Sequence, residues 1–116
     1  MAGIKNWKVD QAANFRFSIV YKDPDGDPID LTQYQVYMDI KSAPGSKKIL
    51  ASCAIGDGIV VTPLLGKIDV NVNADKTKVI AYPKSAYDLI IVTGSGVVTR
   101  LLEGWLDVSR AVTIND

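Results

Sequence analysis

Histidine is absent from this 116-residue chain, and cysteine occurs once, at Cys53. Without histidine there is no Ser-His-Asp or Cys-His nucleophile and no Cys/His zinc set, and the commonest general base is missing. Any catalysis would have to rest on Asp/Glu pairs or on lysine. A lone cysteine rules out an internal disulfide. Its place in the apolar run Ile-Leu-Ala-Ser-Cys-Ala-Ile fits a buried, inert thiol. Charge of one sign is also lacking: thirteen Lys and Arg balance thirteen Asp and Glu. That balance argues against a protein that grips nucleic acid electrostatically. No apolar run approaches the roughly 18 residues a membrane span needs. The opening Met-Ala-Gly-Ile-Lys-Asn-Trp-Lys-Val-Asp lacks the apolar stretch of a signal peptide. The expectation is a soluble protein made in a cytoplasm. Repeats, low-complexity tracts and linkers are missing too, so residues 1–116 are read as a single domain. A chain of that size buries about two thirds of its unfolded surface and needs no staple.

What is present is an apolar pattern of period two. Phe15, Phe17, Ile19 and Tyr21 alternate with Arg16, Ser18, Val20 and Lys22, as a strand with one buried face requires. Val36, Met38 and Ile40 repeat the pattern, and so do Ile68, Val70 and Val72. Shorter apolar pieces, Lys-Ile-Leu-Ala-Ser and Gly-Ile-Val-Val-Thr, lie between turn residues. The segment from Tyr87 to Ser109 reads as two strands folded over Gly94-Ser95-Gly96. One stretch breaks the alternation. Asn73 is a capping residue and Pro83 a stop, which predicts one or two helical turns over 74–81 with Val79 and Ile80 inward. Short strands at regular spacing predict an all-β sandwich or barrel.

The acidic stretch Asp-Pro-Asp-Gly-Asp-Pro-Ile-Asp, residues 23–30, invites a metal reading. A calcium loop of EF-hand type needs glycine at its sixth position and glutamate at its twelfth. Counting from Asp23, glycine falls at the fourth position and Tyr34 at the twelfth. Asp25-Gly26 is instead a strong turn dipeptide, Pro24 and Pro28 fix the backbone on either side, and Asp30 suits an Asx-turn. A turn is the expectation and a weak surface calcium site the alternative. Asp69 and Asp88 each sit on the polar phase of a strand, where a solvated carboxylate is expected and a glycosidase-like acid–base pair is the rival. Lys47-Lys48 reads as a solvated loop. The glycines of Thr-Gly-Ser-Gly-Val-Val join strands with no helix after them, so they form no dinucleotide fingerprint. Trp7 and Trp105 could stack on sugars, as in a carbohydrate-binding module, or pack partly buried or at an interface.

Leu89–Val92, Val60-Val61 and the run from Arg100 to Leu106 are apolar on both strand phases. A strand with one wet face should not be. Either both faces are covered within the domain or one meets another chain, and the zero net charge does nothing to keep copies apart. The docking candidates are Ile90, Val92, Leu101 and Trp105, apolar on the phase a lone domain leaves polar. No catalytic, cofactor-binding or metal-binding residue is assigned.

The order of segments resembles a group of small tailed-bacteriophage virion proteins. Phe15–Tyr34 gives an alternating strand ending in an acidic turn. Tyr-Met-Asp-Ile-Lys-Ser, Gly-Ile-Val-Val-Thr and Gly-Lys-Ile-Asp-Val-Asn-Val follow, and Tyr-Asp-Leu leads to Val-Thr-Arg-Leu-Leu-Glu-Gly. The likeness runs from about Phe15 to Ser109, and the chain is also similar to the N-terminal attachment domain of phage baseplate upper proteins. Where relatives carry glycine before Tyr-Asp-Leu, Ser85-Ala86 stand here. The resemblance implies an immunoglobulin-like β-sandwich of about seven to eight antiparallel strands with one short helix. It implies a non-enzymatic virion part, in the neck, tail, baseplate or fibre attachment, that docks to other particle proteins in several copies. A carbohydrate-binding module on the particle and a capsid-surface decoration protein are the alternatives. No cofactor, nucleic acid or membrane enters. Leu31 and Tyr34 would cap one end of the core, and Gly104 would permit a close contact or bulge. Arg100 and Glu103, three apart in a strand, are expected on opposite faces.

Overall fold

Within residues 3–112, which the computed structural model describes, the alternating segments are strands. They are β1 (Gly3–Ile4), β2 (Trp7–Asp10), β3 (Phe15–Val20), β4 (Gln35–Lys41), β5 (Ala51–Ile55), β6 (Gly58–Thr62), β7 (Lys67–Val72), β8 (Lys84–Val92) and β9 (Val98–Ser109). A 3₁₀ turn, Pro63–Leu65, precedes β7, and one helical turn, α1 (Ala74–Thr77), follows it. Hydrogen bonds join the strands into one mixed sheet in the order β1-β9-β8-β4-β5-β6-β7-β3, with β2 also on β9. The sheet curls into a half-barrel. The period-two residues line its inside: Val36, Met38 and Ile40 of β4 and Ile68, Val70 and Val72 of β7 are all buried. Leu89, Ile91 and Leu106 close the same core.

Two expectations are corrected here. The sheet is not purely antiparallel, because β1 and β2 both run parallel to β9 and β5 meets β6 in parallel over two positions. The chain enters alongside its own last strand, and Gly56 (φ +86°) and Gly58 (φ +91°) step it from β5 to β6 in a tight loop that only glycine enters cheaply. The helix is also shorter than its predicted span. Asn73 caps it, its Oδ1 accepting from Lys76 N at 3.1 Å, but the helix ends at Thr77, whose hydroxyl donates to Ala13 O at 2.8 Å. Ile80 is buried as expected, whereas Val79 is exposed, since the helix has already ended at Thr77 and no longer sets which side chains point inward.

Other local readings hold. Thr93 N–H donates to Val97 O and Gly96 N–H to Thr93 O, with Gly96 at φ +90°, so β8 and β9 form the expected hairpin. Leu31 is buried and Tyr34 packs against the core. Ser85-Ala86 needs no glycine, because both residues lie inside β8 and the buried Ser85 hydroxyl donates to Ala81 O and accepts from Ala81 N.

Gly104 is the point of closest approach. The Lys5–Asn6 link between β1 and β2 crosses directly over it. Lys5 N–H donates to Glu103 O at 3.0 Å and Asn6 Oδ1 accepts from Trp105 N at 2.9 Å. A Cβ at position 104 would stand 2.3 Å from Lys5 O and 2.8 Å from Asn6 Oδ1. Gly104→Ala is therefore expected to lift this link and cost about 1–3 kcal/mol. Urea unfolding checks this, and an unchanged midpoint would contradict the contact.

Candidate functional site

The register of β8 against β9 shifts once. Leu89 pairs with Leu102, but the next residue, Ile90, pairs with Arg100, which leaves Leu101 as the extra residue of a β-bulge. Because side chains alternate with period two, one inserted residue reverses the phase on either side of it. Glu103 and Trp105 face outward beyond the bulge, and Val98 and Arg100 face outward before it. Two expectations fall as a result. Leu101 does not share the face of Trp105; it packs against the core instead. Arg100 and Glu103 lie on one face and pair, with Nη1 to Oε2 at 3.3 Å.

The outer face of β4, β8 and β9 can be built row by row. Gln35, Val92 and Val98 form the first row, and Tyr37, Ile90 and Arg100 the second. Asp39, Asp88 and Glu103 form the third, and Lys41, Ala86 and Trp105 the fourth. One end of the face is apolar. Ile90 and Val92 are half-buried beside Tyr37 (39% exposed), Val97 and Val98 (59% each). The other end is charged. Arg100 Nε reaches Asp88 Oδ2 at 3.2 Å while its Nη1 holds Glu103, so one guanidinium serves two carboxylates. Asp39 lacks that partner. Its pKa is raised by burial first and by the neighbouring Asp88 second, with Lys41 opposing both. Lys84 Nζ lies 4.3 Å from the Trp105 ring centroid, a cation–π contact. Between the carboxylates and Trp105 is an open groove of about 460 Å³. Of the four expected docking residues, Ile90, Val92 and Trp105 therefore share one face and Leu101 leaves it.

The remaining candidates separate. Trp7 packs against the core. It stacks on Phe17 at 4.9 Å, meets Phe15 edge-on at 5.8 Å, and donates Nε1–H to the Tyr87 hydroxyl at 2.9 Å. That hydroxyl donates in turn to Lys5 O at 2.6 Å, and burial pushes the Tyr87 phenol up. Asp69 and Asp88 border different grooves, with β4, β5 and β6 between their strands in the sheet, so they form no acid–base pair. Asp69 instead accepts from the Ser18 hydroxyl and lies 3.8 Å from Lys67 Nζ. The acidic stretch is a turn: Asp23 Oδ1 accepts from the N–H groups of Asp25 and Asp27, and Gly26 stands at φ +88°. Asp30 accepts from the hydroxyl and N–H of Thr32, which lowers its pKa. Among the described residues no group of three or more Asp, Glu, Cys or His is arranged to hold a metal ion. Lys47 and Lys48 are exposed.

Cys53 is buried, and burial raises its pKa although Lys76 Nζ lies 3.7 Å from the sulfur. That ammonium is held mainly by Asp57 Oδ1 at 2.8 Å and Ser52 O at 2.6 Å, a tether between α1 and β5 that the alternation gives no hint of. Also missed were Tyr37, Asp39 and Val98 as members of the outer face. The alternation puts Tyr37 and Asp39 on the polar phase, but only strand pairing sets them beside Ile90 and Asp88. The chain matches no protein-family model and no curated protein. Among the described residues no helix is long and apolar enough to cross a membrane.

The elevated Asp39 sets a pH dependence with a definite sign. Its pKa is higher folded than unfolded, so the folded protein holds that proton more tightly. Stability from this group is present at low pH and is lost as pH rises through the folded value. Asp39→Asn should therefore raise stability at pH 7 by about 0.5 kcal/mol, a figure reduced for partial solvent exposure. The gain should shrink as pH falls towards the ordinary carboxylate range. Urea midpoints measured across that span test it, and a destabilised variant at pH 7 would contradict the assignment.

Proposed function

We propose that this domain is a non-enzymatic structural part of a tailed-bacteriophage particle, built as an immunoglobulin-like sandwich and docking through the outer face of β4, β8 and β9. The carrying observation is that face: Tyr37, Ile90, Val92 and Val98 form a continuous, partly exposed apolar end beside a charged end. Apolar area rimmed by charge is the ordinary anatomy of a protein interface. The segments that carry the phage resemblance support the same choice, since Tyr-Met-Asp-Ile-Lys-Ser, Tyr-Asp-Leu and Val-Thr-Arg-Leu-Leu-Glu-Gly lie on β4, β8 and β9. The sandwich reading rests on strand order. The β5–β6 contact spans only two positions, and a break there would leave β9-β8-β4-β5, joined by β1 and β2, facing β6-β7-β3. A variable-type immunoglobulin domain divides its strands between two sheets in the same way. A particle-borne carbohydrate module takes second place. Trp105 borders a groove with carboxylates, but Lys84 lies over its ring.

The experiment is quantitative mass spectrometry on purified particles of the encoding phage. A fixed, low copy number relative to the portal protein supports a neck or tail part. Numbers comparable to the major capsid protein point to surface decoration, and absence from clean particles overturns the virion reading. Ile90→Glu and Val98→Glu should leave the isolated domain folded, within about 1 kcal/mol of wild type, yet remove it from particles. Leu101→Glu, which puts a charge against the core, should unfold it. Trp105→Glu should behave like the first pair, and an unfolded monomer would move Trp105 into the core.

A further inference from the structure

The two edges of the sheet are treated differently. On one side β1 and β2 cover most of β9. On the other, β3 pairs with β7 alone, and no described residue hydrogen-bonds to its second edge. The register of β3 against β7 is unbroken from Phe15 to Val20, so no bulge twists the edge away. Its sequence, Phe-Arg-Phe-Ser-Ile-Val, holds no proline and no lysine. Its one charged residue is Arg16, and a regular edge guarded by that alone is a template for another strand.

The direction of its free groups follows from one contact. Tyr21 N–H donates to Gly66 O at 2.8 Å, immediately beyond the Val20–Lys67 pair. Antiparallel ladders alternate, so Phe15, Phe17 and Ile19 direct their backbone groups to β7. Arg16, Ser18 and Val20 direct theirs to the open edge.

We infer that β3 pairs antiparallel with β3 of a second copy of this chain, about a twofold axis at Phe17. Of the symmetric registers that use the outward groups, those centred on Phe17 and on Ser18 keep the most of β3 paired, and charge selects between them. Centred on Ser18, the pairing sets each Arg16 opposite the second copy's Val20, whose β7 neighbour is Lys67, and cation faces cation. Centred on Phe17, it sets each Arg16 opposite the second copy's Ser18, whose β7 neighbour is Asp69. Among the described residues Arg16 is held only by Asn71 Oδ1 at 3.3 Å, so its guanidinium can reach across that serine to the carboxylate. The twofold repeats this contact, and the inner face brings Phe15 against Ile19 on each side. Zero net charge opposes none of it. The Ile19–Tyr21 end of this edge borders Thr99–Leu102 of β9 across a small groove, but the inference does not rest on what the β4–β8–β9 face docks to.

Sedimentation equilibrium of the full chain over a wide concentration range tests it. Wild type should dimerise. Ser18→Pro deletes an N–H that faces the open edge and spares the β7 ladder, so it should weaken the dimer at least about tenfold while circular dichroism stays native. Arg16→Asp should weaken it similarly, and Arg16→Asp with Asp69→Lys should restore it. If the proline variant fails to fold, the charge pair carries the test alone. Ile90→Glu should leave the dimer intact. A wild type that stays monomeric throughout, or a dimer indifferent to both Ser18→Pro and Arg16→Asp, overturns the inference.

Discussion

The β8–β9 hairpin is the pairing on which the rest of the structure depends. Nine residues of β8 lie against β9; β8 gives its other edge to β4, and β9 gives its other edge to β1 and β2. Most of the mixed sheet is thus hung on two strands that meet through one tight turn. Local pairing of this kind forms early and cheaply, because little chain must be ordered to close it. The bulge at Leu101 then decides what the hairpin presents. Without it, Arg100 and Glu103 would point apart and Leu101 would lie beside Trp105 on the wet side. With it, the core gains a leucine and the outer face gains an ion-paired arginine.

The same bulge marks the limit of what the sequence made legible. Strand positions followed from alternation, because a half-buried strand has only one way to arrange Val36, Met38 and Ile40. The turn at Asp23–Asp30 was legible for a similar reason: its aspartates, glycine and prolines satisfy local backbone geometry and need no distant partner. Alternation carries no mark of a single inserted residue inside an apolar run, however. Leu101 and Leu102 are equally apolar, and either could face the core. Strand direction was illegible for another reason. The pairing of β1 and β2 with β9 joins residues about a hundred positions apart, and the only local sign of it was Gly104, which has room for a crossing backbone but does not say which one.

The candidate site was therefore half visible. Ile90, Val92 and Trp105 stood out because apolar side chains occupied a phase that water should own. Tyr37, Asp39 and Val98 did not, because a tyrosine, an aspartate and a valine at a strand end are unremarkable singly. They become a surface only through cross-strand register. Trp7 resolves the other way: of the two uses open to it, a sugar platform or a partly buried position, stacking on Phe17 and a hydrogen bond to Tyr87 select the second.

The arrangement of charge on the outer face carries a last consequence. Arg100 is shared between Asp88 and Glu103, and Asp39 is left as the carboxylate with least compensation in its row. A partner covering this face would remove water from all of these groups at once, and burial without compensation is costly. The partner most compatible with the row therefore brings a cation to Asp39 while its apolar surface covers Ile90, Val92 and Val98. A partner bringing a carboxylate beside Asp39 would meet the member of the row that Arg100 does not neutralise, and would bind more weakly. If this face docks as proposed, apolar area would supply the adhesion and the carboxylate row the discrimination, the division of labour expected where specificity comes from penalties on the wrong partner as much as from contacts with the right one.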